Sequence, residues 1–251
     1  MTDDARSAPR DSILIVGASS DLGLELIRQL APEGPLVLAH CNRSGEKLAA
    51  VESTDGTEIV PLIADLGDLS ATESLIAAIR AGYPMPGKIV YLAAPKLEMT
   101  RFKDLSWERF RVALDIQLRG LVMVLQAFLP DMARQGRGKV VVVLSSVTVN
   151  IPPGAMADYV TTKYAMWGLV RALAAEYAAK KVNINAVSPS MMETAFLERL
   201  PPRMVEISTS QTPLQRAATP AEVTAAIRYL LSPATDYVTG VNLPITGGAN
   251  F

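Results

Sequence analysis

Short apolar runs alternate with longer stretches in which apolar residues recur every three or four positions. The runs are Ser12–Val16 (S-I-L-I-V), Leu36–His40, Ile59–Ile63, Lys88–Ala93, Lys139–Leu144, Val182–Val187 and Val241–Thr246. Each has strand length and reads as a buried strand. Between them the helical period predicts helices after Gly23 and over Leu69–Arg80, Ala157–Ala179 and Ala221–Leu231. A further helix is predicted over Asp104–Met132, with its last turn disturbed by Pro130. This alternation predicts an α/β fold: one doubly wound parallel sheet with helices on both faces, in a single domain over residues 11–251. Connections should be right-handed, and ligands should bind at the carboxyl ends of the strands. Two stretches depart from the pattern. Residues 1–10 are polar and are expected to be a flexible segment. From Ser190 to Arg216 the chain is Met-rich and broken by Pro201, Pro202 and Pro213, as expected of a substrate lid at about 190–216.

The chemistry centres on Y-V-T-T-K, where Tyr159 and Lys163 share a helix face at a spacing of four. A phenol titrates near ~10 and is a poor acid at neutral pH. A fixed cation beside it favours the phenolate and tunes the Tyr toward proton transfer. Tyr177 and Lys181 repeat the spacing, so spacing alone selects neither pair. Context does: thirteen residues before Tyr159 stands Ser146, at the end of V-V-V-L-S-S, whereas thirteen before Tyr177 stands Tyr164, inside a helix. Ser146, Tyr159 and Lys163 therefore form one constellation, and Tyr177/Lys181 an ordinary helix surface.

After the first strand comes G-A-S-S-D-L-G, Gly17 to Gly23, running into a helix. Gly17 permits a sharp turn and Gly23 close helix packing. Ser19, Ser20, Asp21 and Leu22 lie between them, at a helix start whose N–H groups attract pyrophosphate. Asp21 stands where the usual fingerprint has its central Gly, and is placed to cap the helix. The loop reads either as a nucleotide site of a Rossmann-type fold or as an ordinary βα turn. The second strand ends in H-C-N-R-S, with no acid before Glu46. Asn42, Arg43 and Ser44 suit the 2′-phosphate of NADP; otherwise Arg43 is a solvated loop residue. His40 reads as a strand-end or near-cofactor residue, and Cys41 as packing. Asp65 and Leu66 follow the third strand, where Asp65 either meets the adenine or caps the next helix.

Composition narrows the class. The chain has 251 residues and a net charge of −1, which gives no basis for nucleic-acid binding. One Cys cannot form an intramolecular disulfide, the first ten residues lack an apolar signal core, and no run approaches the ~18 apolar residues of a membrane span. A cytoplasmic protein without a membrane partner is expected. No His/Cys cluster suggests a metal.

Taken together, G-A-S-S-D-L-G, Asp65–Leu66, Ser146, Y-V-T-T-K, N-A-V-S-P-S-M-M-E-T and Y-V-T-G-V-N-L-P-I-T-G-G resemble the short-chain dehydrogenase/reductase family in its single-domain form, most closely the 3-oxoacyl-carrier-protein reductases and related ketoreductases. The resemblance implies hydride transfer between a nicotinamide, here NADPH, and a carbonyl. It implies that Tyr159 gives the proton, that Ser146 bonds the carbonyl oxygen, and that Lys163 bonds the nicotinamide ribose and lowers the Tyr159 pKa. It places Pro189, Met192 and Thr194 against the cofactor. Ala93 and Ala94 stand where the family has N-N-A-G, and Gln117 where it has a relay Asn. The implied substrate is a 3-oxoacyl thioester or similar ketone with an apolar part, facing Met191, Met192, Phe196, Leu197, Leu200 and Met204. Were it bound to an acidic carrier protein, Arg134, Arg137, Lys139 and Lys180–Lys181 would be candidate docking charges around the pocket mouth. The alternatives are an alcohol, sugar or steroid dehydrogenase, and a catalytically silent nucleotide-binding regulator. A homo-oligomer, dimer or tetramer, is implied through the helices Asp104–Met132 and Ala157–Ala179, with Phe251 buried against a partner or neighbouring site.

Overall fold

The computed structural model describes residues 12–51, 57–194 and 202–249. Residues 1–10, part of the expected lid and Phe251 lie outside the described residues.

The described residues form seven strands: β1 (Ser12–Val16), β2 (Leu36–Cys41), β3 (Glu58–Ile63), β4 (Lys88–Tyr91), β5 (Gly138–Val143), β6 (Val182–Pro189) and β7 (Asn242–Ile245). Their helices are α1 (Asp21–Leu30), α2 (Gly45–Ala49), α3 (Leu69–Gly82), α4 (Trp107–Leu114), α5 (Gly120–Gln135), α6 (Ala157–Tyr177), α7 (Pro202–Gln211) and α8 (Pro220–Leu231). The sheet runs β3-β2-β1-β4-β5-β6-β7 with every pairing parallel. Strand order reverses between β1 and β4, where a doubly wound sheet opens its ligand crevice.

The apolar runs feed both faces, because successive strand residues point to opposite sides. On one face Leu14, Val16, Ile89, Tyr91, Val140 and Val142 pack under α3, α5 and α6. On the other, Ile13, Ile15, Val37, Val90, Val141 and Val187 pack under α1 and α8. A strand buried on both faces can be apolar throughout, which is why these runs lack alternation.

The long predicted helix is continuous from Trp107 to Gln135, three residues later at each end than the pattern indicates, with a π turn at Asp115–Arg119. Pro130 does not end it; Gly136, at φ 63°, does. Arg80 of α3 donates to the Ala127 carbonyl (2.5 Å) and pairs with Asp131 (3.1 Å), holding the turn around the proline from outside. By length and composition alone this helix could cross a membrane. Here Leu121, Val124, Leu125, Phe128 and Met132 bury it against the sheet.

Two cap assignments change. Ser20, not Asp21, caps α1, accepting the Gly23 N–H at 3.1 Å. Asp68, not Asp65, caps α3, because Asp65 Oδ1 is already engaged by the Gly67 N–H at 2.8 Å.

Candidate active site

A cavity of about 1030 Å³ runs along the carboxyl ends of the strands. Its chemical end is built by β5 and α6. The chain leaves β5 through Ser145 into a short 3₁₀ turn at Ser146–Thr148, and both serines line the cavity. Tyr159 and Lys163 enter from the first turns of α6. Lys163 is 3 % exposed, donates to the Val143 carbonyl at 3.0 Å, and stands 5.6 Å from the Tyr159 ring centroid. Burial lowers its pKa to about 7. Burial pushes the Tyr159 phenol up, partly offset by a hydrogen bond with the Ser145 hydroxyl. Charge desolvation therefore dominates both groups. Once charged, Lys163 at this distance favours the phenolate, opposing the effect of burial. The hydroxyl against Tyr159 belongs to Ser145, the neighbour of the serine singled out by spacing. The S-S pair was visible in the sequence; which member faces the phenol depends on the 3₁₀ turn.

The first turn of α6 is fixed by a residue that sequence reasoning passed over. Buried Asp158 accepts the Tyr159 N–H (2.9 Å) and pairs with Arg109 of α4 (3.1 Å). Arg109 also bonds Thr100 and the Glu98 carbonyl, tying down the loop after β4.

Gln117 lies in the π turn, fully buried, and neither its Oε1 nor its Nε2 has a hydrogen-bond partner. It does not line the cavity itself. Tyr91 donates to the neighbouring Ile116 carbonyl at 2.6 Å. A buried carboxamide without partners is costly.

The cofactor end is a cradle. Gly17 has φ +90° and approaches so closely that a Cβ there would stand 2.8 Å from the Ala93 nitrogen; one on Gly23 would stand 2.4 Å from the Ala18 carbonyl oxygen. Gly17, Ser19, Ser20, Asp21 and Leu22 line the cavity, as do Ala93 and Ala94. Such a tight turn feeding a capped helix start fits a dinucleotide pyrophosphate. At the far end Asn42, Asp65 and Leu66 line the cavity, with Arg119 donating to the carbonyls of Leu66 (3.0 Å) and Gly67 (2.7 Å). Gly23 packs behind the cradle. Arg43 and Ser44 do not line the cavity, and Arg43 is exposed. The cation that does line it here is Lys47, one turn into α2, a short helix the pattern did not reveal.

On the remaining side Pro189, Met191, Met192 and Thr194 line the cavity, joined by Ile207 and Gln211 of α7. Met192 bridges to Ala218, anchoring the lid at its base. Phe196, Leu197 and Leu200, and the side chain of Met204, lie outside the described residues. Arg137, Lys139 and Lys181 do not surround this mouth. They sit at the amino ends of β5 and β6, the opposite edge of the sheet, because Lys139 begins the strand that Ser145 follows. Arg134 is paired with Asp131.

Comparison with known proteins agrees with this architecture. Residues 17–250 match the family model described as Enoyl-(Acyl carrier protein) reductase. The chain is 31 % identical over 238 residues to an acetoacetyl-CoA reductase of Acinetobacter sp. (strain RA3849), covering 94 % of this chain and 96 % of that one. It is 30 % identical over 240 residues to the 3-oxoacyl-[acyl-carrier-protein] reductase FabG of Thermotoga maritima, with coverages of 94 % and 96 %. Among solved structures, levodione reductase superposes with a TM-score of 0.88 at 26 % identity, over 96 % of this chain and 98 % of that one. The chain belongs to the short-chain dehydrogenase/reductase family and is an oxidoreductase of the nicotinamide-dependent kind that acts on CH–OH and C=O groups.

Proposed function

We propose that this chain is an NADPH-dependent ketoreductase that reduces a 3-oxoacyl thioester or similar ketone to the alcohol. The observation that carries the reading is that half-buried Tyr159 opens, with Ser145, Ser146 and Lys163, on the same cavity as the glycine cradle. Burial keeps the phenol protonated, so it is held as a proton donor for an oxygen that becomes negative. A serine hydroxyl, from Ser145 or Ser146, bonds that oxygen. Lys163, with a pKa near neutrality, can replace the proton that Tyr159 gives up, and the unpaired Gln117 amide suits a water between Lys163 and the π turn. When bound, the nicotinamide supplies the hydride. Met99, Ile151, Met156, Met192 and Ile207 give the substrate half of the cavity an apolar surface for an acyl chain or aromatic ketone. The lean to NADPH rests on the absence of an acid at the end of β2, together with Lys47 in the cavity and Arg43 beside it. Exposed Phe102, Trp107 and Tyr164 on the α4 and α6 side support assembly through these helices.

The test is oxidation of NADPH and NADH against an acetoacetyl thioester, an aromatic ketone and a quinone. Thioester turnover that disappears in Tyr159→Phe supports the reading. Turnover of the quinone or aromatic ketone alone would remove the acyl assignment. If Arg43→Ala and Lys47→Ala weakened NADPH and NADH equally, the phosphate assignment would fail.

A further inference from the structure

At the amino ends of β4, β5 and β6 lies a second cavity, of about 620 Å³, separate from the catalytic one. Lys88, Arg137, Lys139 and Lys181 line it, against one carboxylate, Asp236. Strand register makes the arrangement unusual: Lys88 of β4 is the direct neighbour of Lys139 on β5, and both face this cavity. Like charges side by side on adjacent strands destabilise a sheet. Asp236 answers only one of them, pairing with Lys139 at 2.7 Å, while Thr235 takes a second bond from the same ammonium at 3.3 Å. Lys88 and Lys181 pair with no carboxylate among the described residues. Lys181 is held at the rim by a left-handed backbone, φ 58°, at the end of the turn that follows α6. Beside the cations Tyr237 is fully exposed, next to Pro233.

We infer that this cavity binds an organic phosphate, with its anionic group among Lys88, Lys139 and Lys181 and its flat or apolar part against Tyr237. A multivalent anion would relieve the Lys88–Lys139 repulsion and satisfy the unpaired ammonium groups. Phosphate suits converging Lys and Arg donors. The volume falls in the range of small-molecule sites. The site lies about 20 Å from the chemistry, since six strand residues at about 3.3 Å each separate Lys139 from Ser145. It is thus independent of the cofactor and of the reaction proposed above.

The experiment is calorimetric titration of the cofactor-saturated protein with inorganic pyrophosphate and with 4-nitrophenyl phosphate; excess cofactor blocks the nucleotide cradle. Both probes are expected to bind, and Lys88→Gln and Lys181→Gln are each expected to weaken them roughly tenfold. Lys103→Gln, an exposed cation elsewhere, should leave binding unchanged, and Tyr237→Ala should weaken only the aromatic probe. Reductase turnover should be unaltered in all four variants. No binding at millimolar concentrations would overturn the inference, as would equal affinities in the wild type and in Lys88→Gln and Lys181→Gln. Should Lys88→Gln fail to fold, Lys181→Gln, on an exposed turn, decides the matter alone.

Discussion

Helix α6 and the turn after it carry two tyrosine–lysine pairs at the same spacing, and they are chemically unlike. Tyr159 and Lys163 lie in its first turns, both perturbed by burial, with the lysine bonded to a strand carbonyl. Tyr177 is the last α-helical residue, and Lys181 lies beyond it in a left-handed conformation. The lysine over the Tyr177 ring is Lys180, at 4.5 Å. A spacing of four means one helix face only while the helix lasts, and a shared face means chemistry only where the sheet removes water. Position relative to the carboxyl ends of the strands, more than the motif, sets the first pair apart.

The largest expected effect breaks the comparison directly. Tyr159→Phe removes the proposed proton donor and should lower turnover by about 10²–10⁴-fold. Tyr177→Phe should change it less than about twofold. Steady-state rates on one ketone substrate decide this; comparable losses would mean that the two pairs are not distinguished by burial.

The second test concerns stability. The Lys163 pKa is lowered from 10.5 to about 7, so between those values the unfolded chain binds the proton more strongly. Stability should therefore rise as pH climbs from about 7 to 10.5, and the cost of burying the ammonium is fully felt below about 7. Lys163→Met should stabilise the cofactor-free protein near pH 7, by on the order of 4 kcal/mol at most, while ending turnover. The gain should shrink toward pH 10, and Lys181→Met should show neither effect. Urea melts at two pH values suffice. A Lys163→Met protein less stable than wild type at pH 7 would show that the bond to Val143 outweighs desolvation.

A third, smaller effect separates the two serines. Ser145→Ala removes the hydroxyl that acts on the Tyr159 phenol and should cost about 10–100-fold in kcat, at or below the ~10²–10³-fold of a lost oxyanion donor. If Ser146→Ala costs more, the serine placed by spacing is the reacting one, and the Ser145 bond only positions the phenol.

Much of this was legible in the chain. The strand runs located all seven strands to within a few residues, because buried parallel strands need uninterrupted apolar sequence. G-A-S-S-D-L-G and Y-V-T-T-K each fell on the cavity for the same topological reason: both follow a strand at its carboxyl end. What stayed hidden depends on three-dimensional neighbours. The Arg109–Asp158 pair joins residues 49 apart. Lys47 reaches the cavity through α2, a five-residue helix too short to show a period. The docking charges were assigned to the wrong edge because their distance from the site runs along a strand, which sequence proximity conceals. Pro130 sits inside a helix that tertiary contacts hold together.

His40 extends the burial rule to the cofactor cradle with the smallest expected effect. Its ring is buried between two strands' ends: Nδ1 accepts the Gly17 N–H at 3.3 Å, and Nε2 lies 3.0 Å from the Ala64 carbonyl. With Nδ1 accepting, the hydrogen must sit on Nε2. Burial lowers the His40 pKa below 6.5, opposed by the Ala64 carbonyl and the nearby Asp65 charge. The unfolded chain therefore takes up the proton first as pH falls, and the stability that depends on neutral His40 is present above about 6.5 and lost as pH drops toward the folded value. A proton on Nδ1 would also face the Gly17 N–H, loosening the turn proposed to cradle the pyrophosphate, so dinucleotide affinity should fall over the same interval. Because His40 is the only histidine in the sequence, its titration can be followed as a single imidazole resonance beside the unfolding curves. His40→Asn should flatten both the stability and the affinity profiles between pH 7.5 and 5.5, values chosen about one unit either side of the ordinary imidazole pKa. If the slopes persist in that variant, the acid sensitivity belongs to carboxylates elsewhere, and the imidazole is merely packed where the cradle happens to turn.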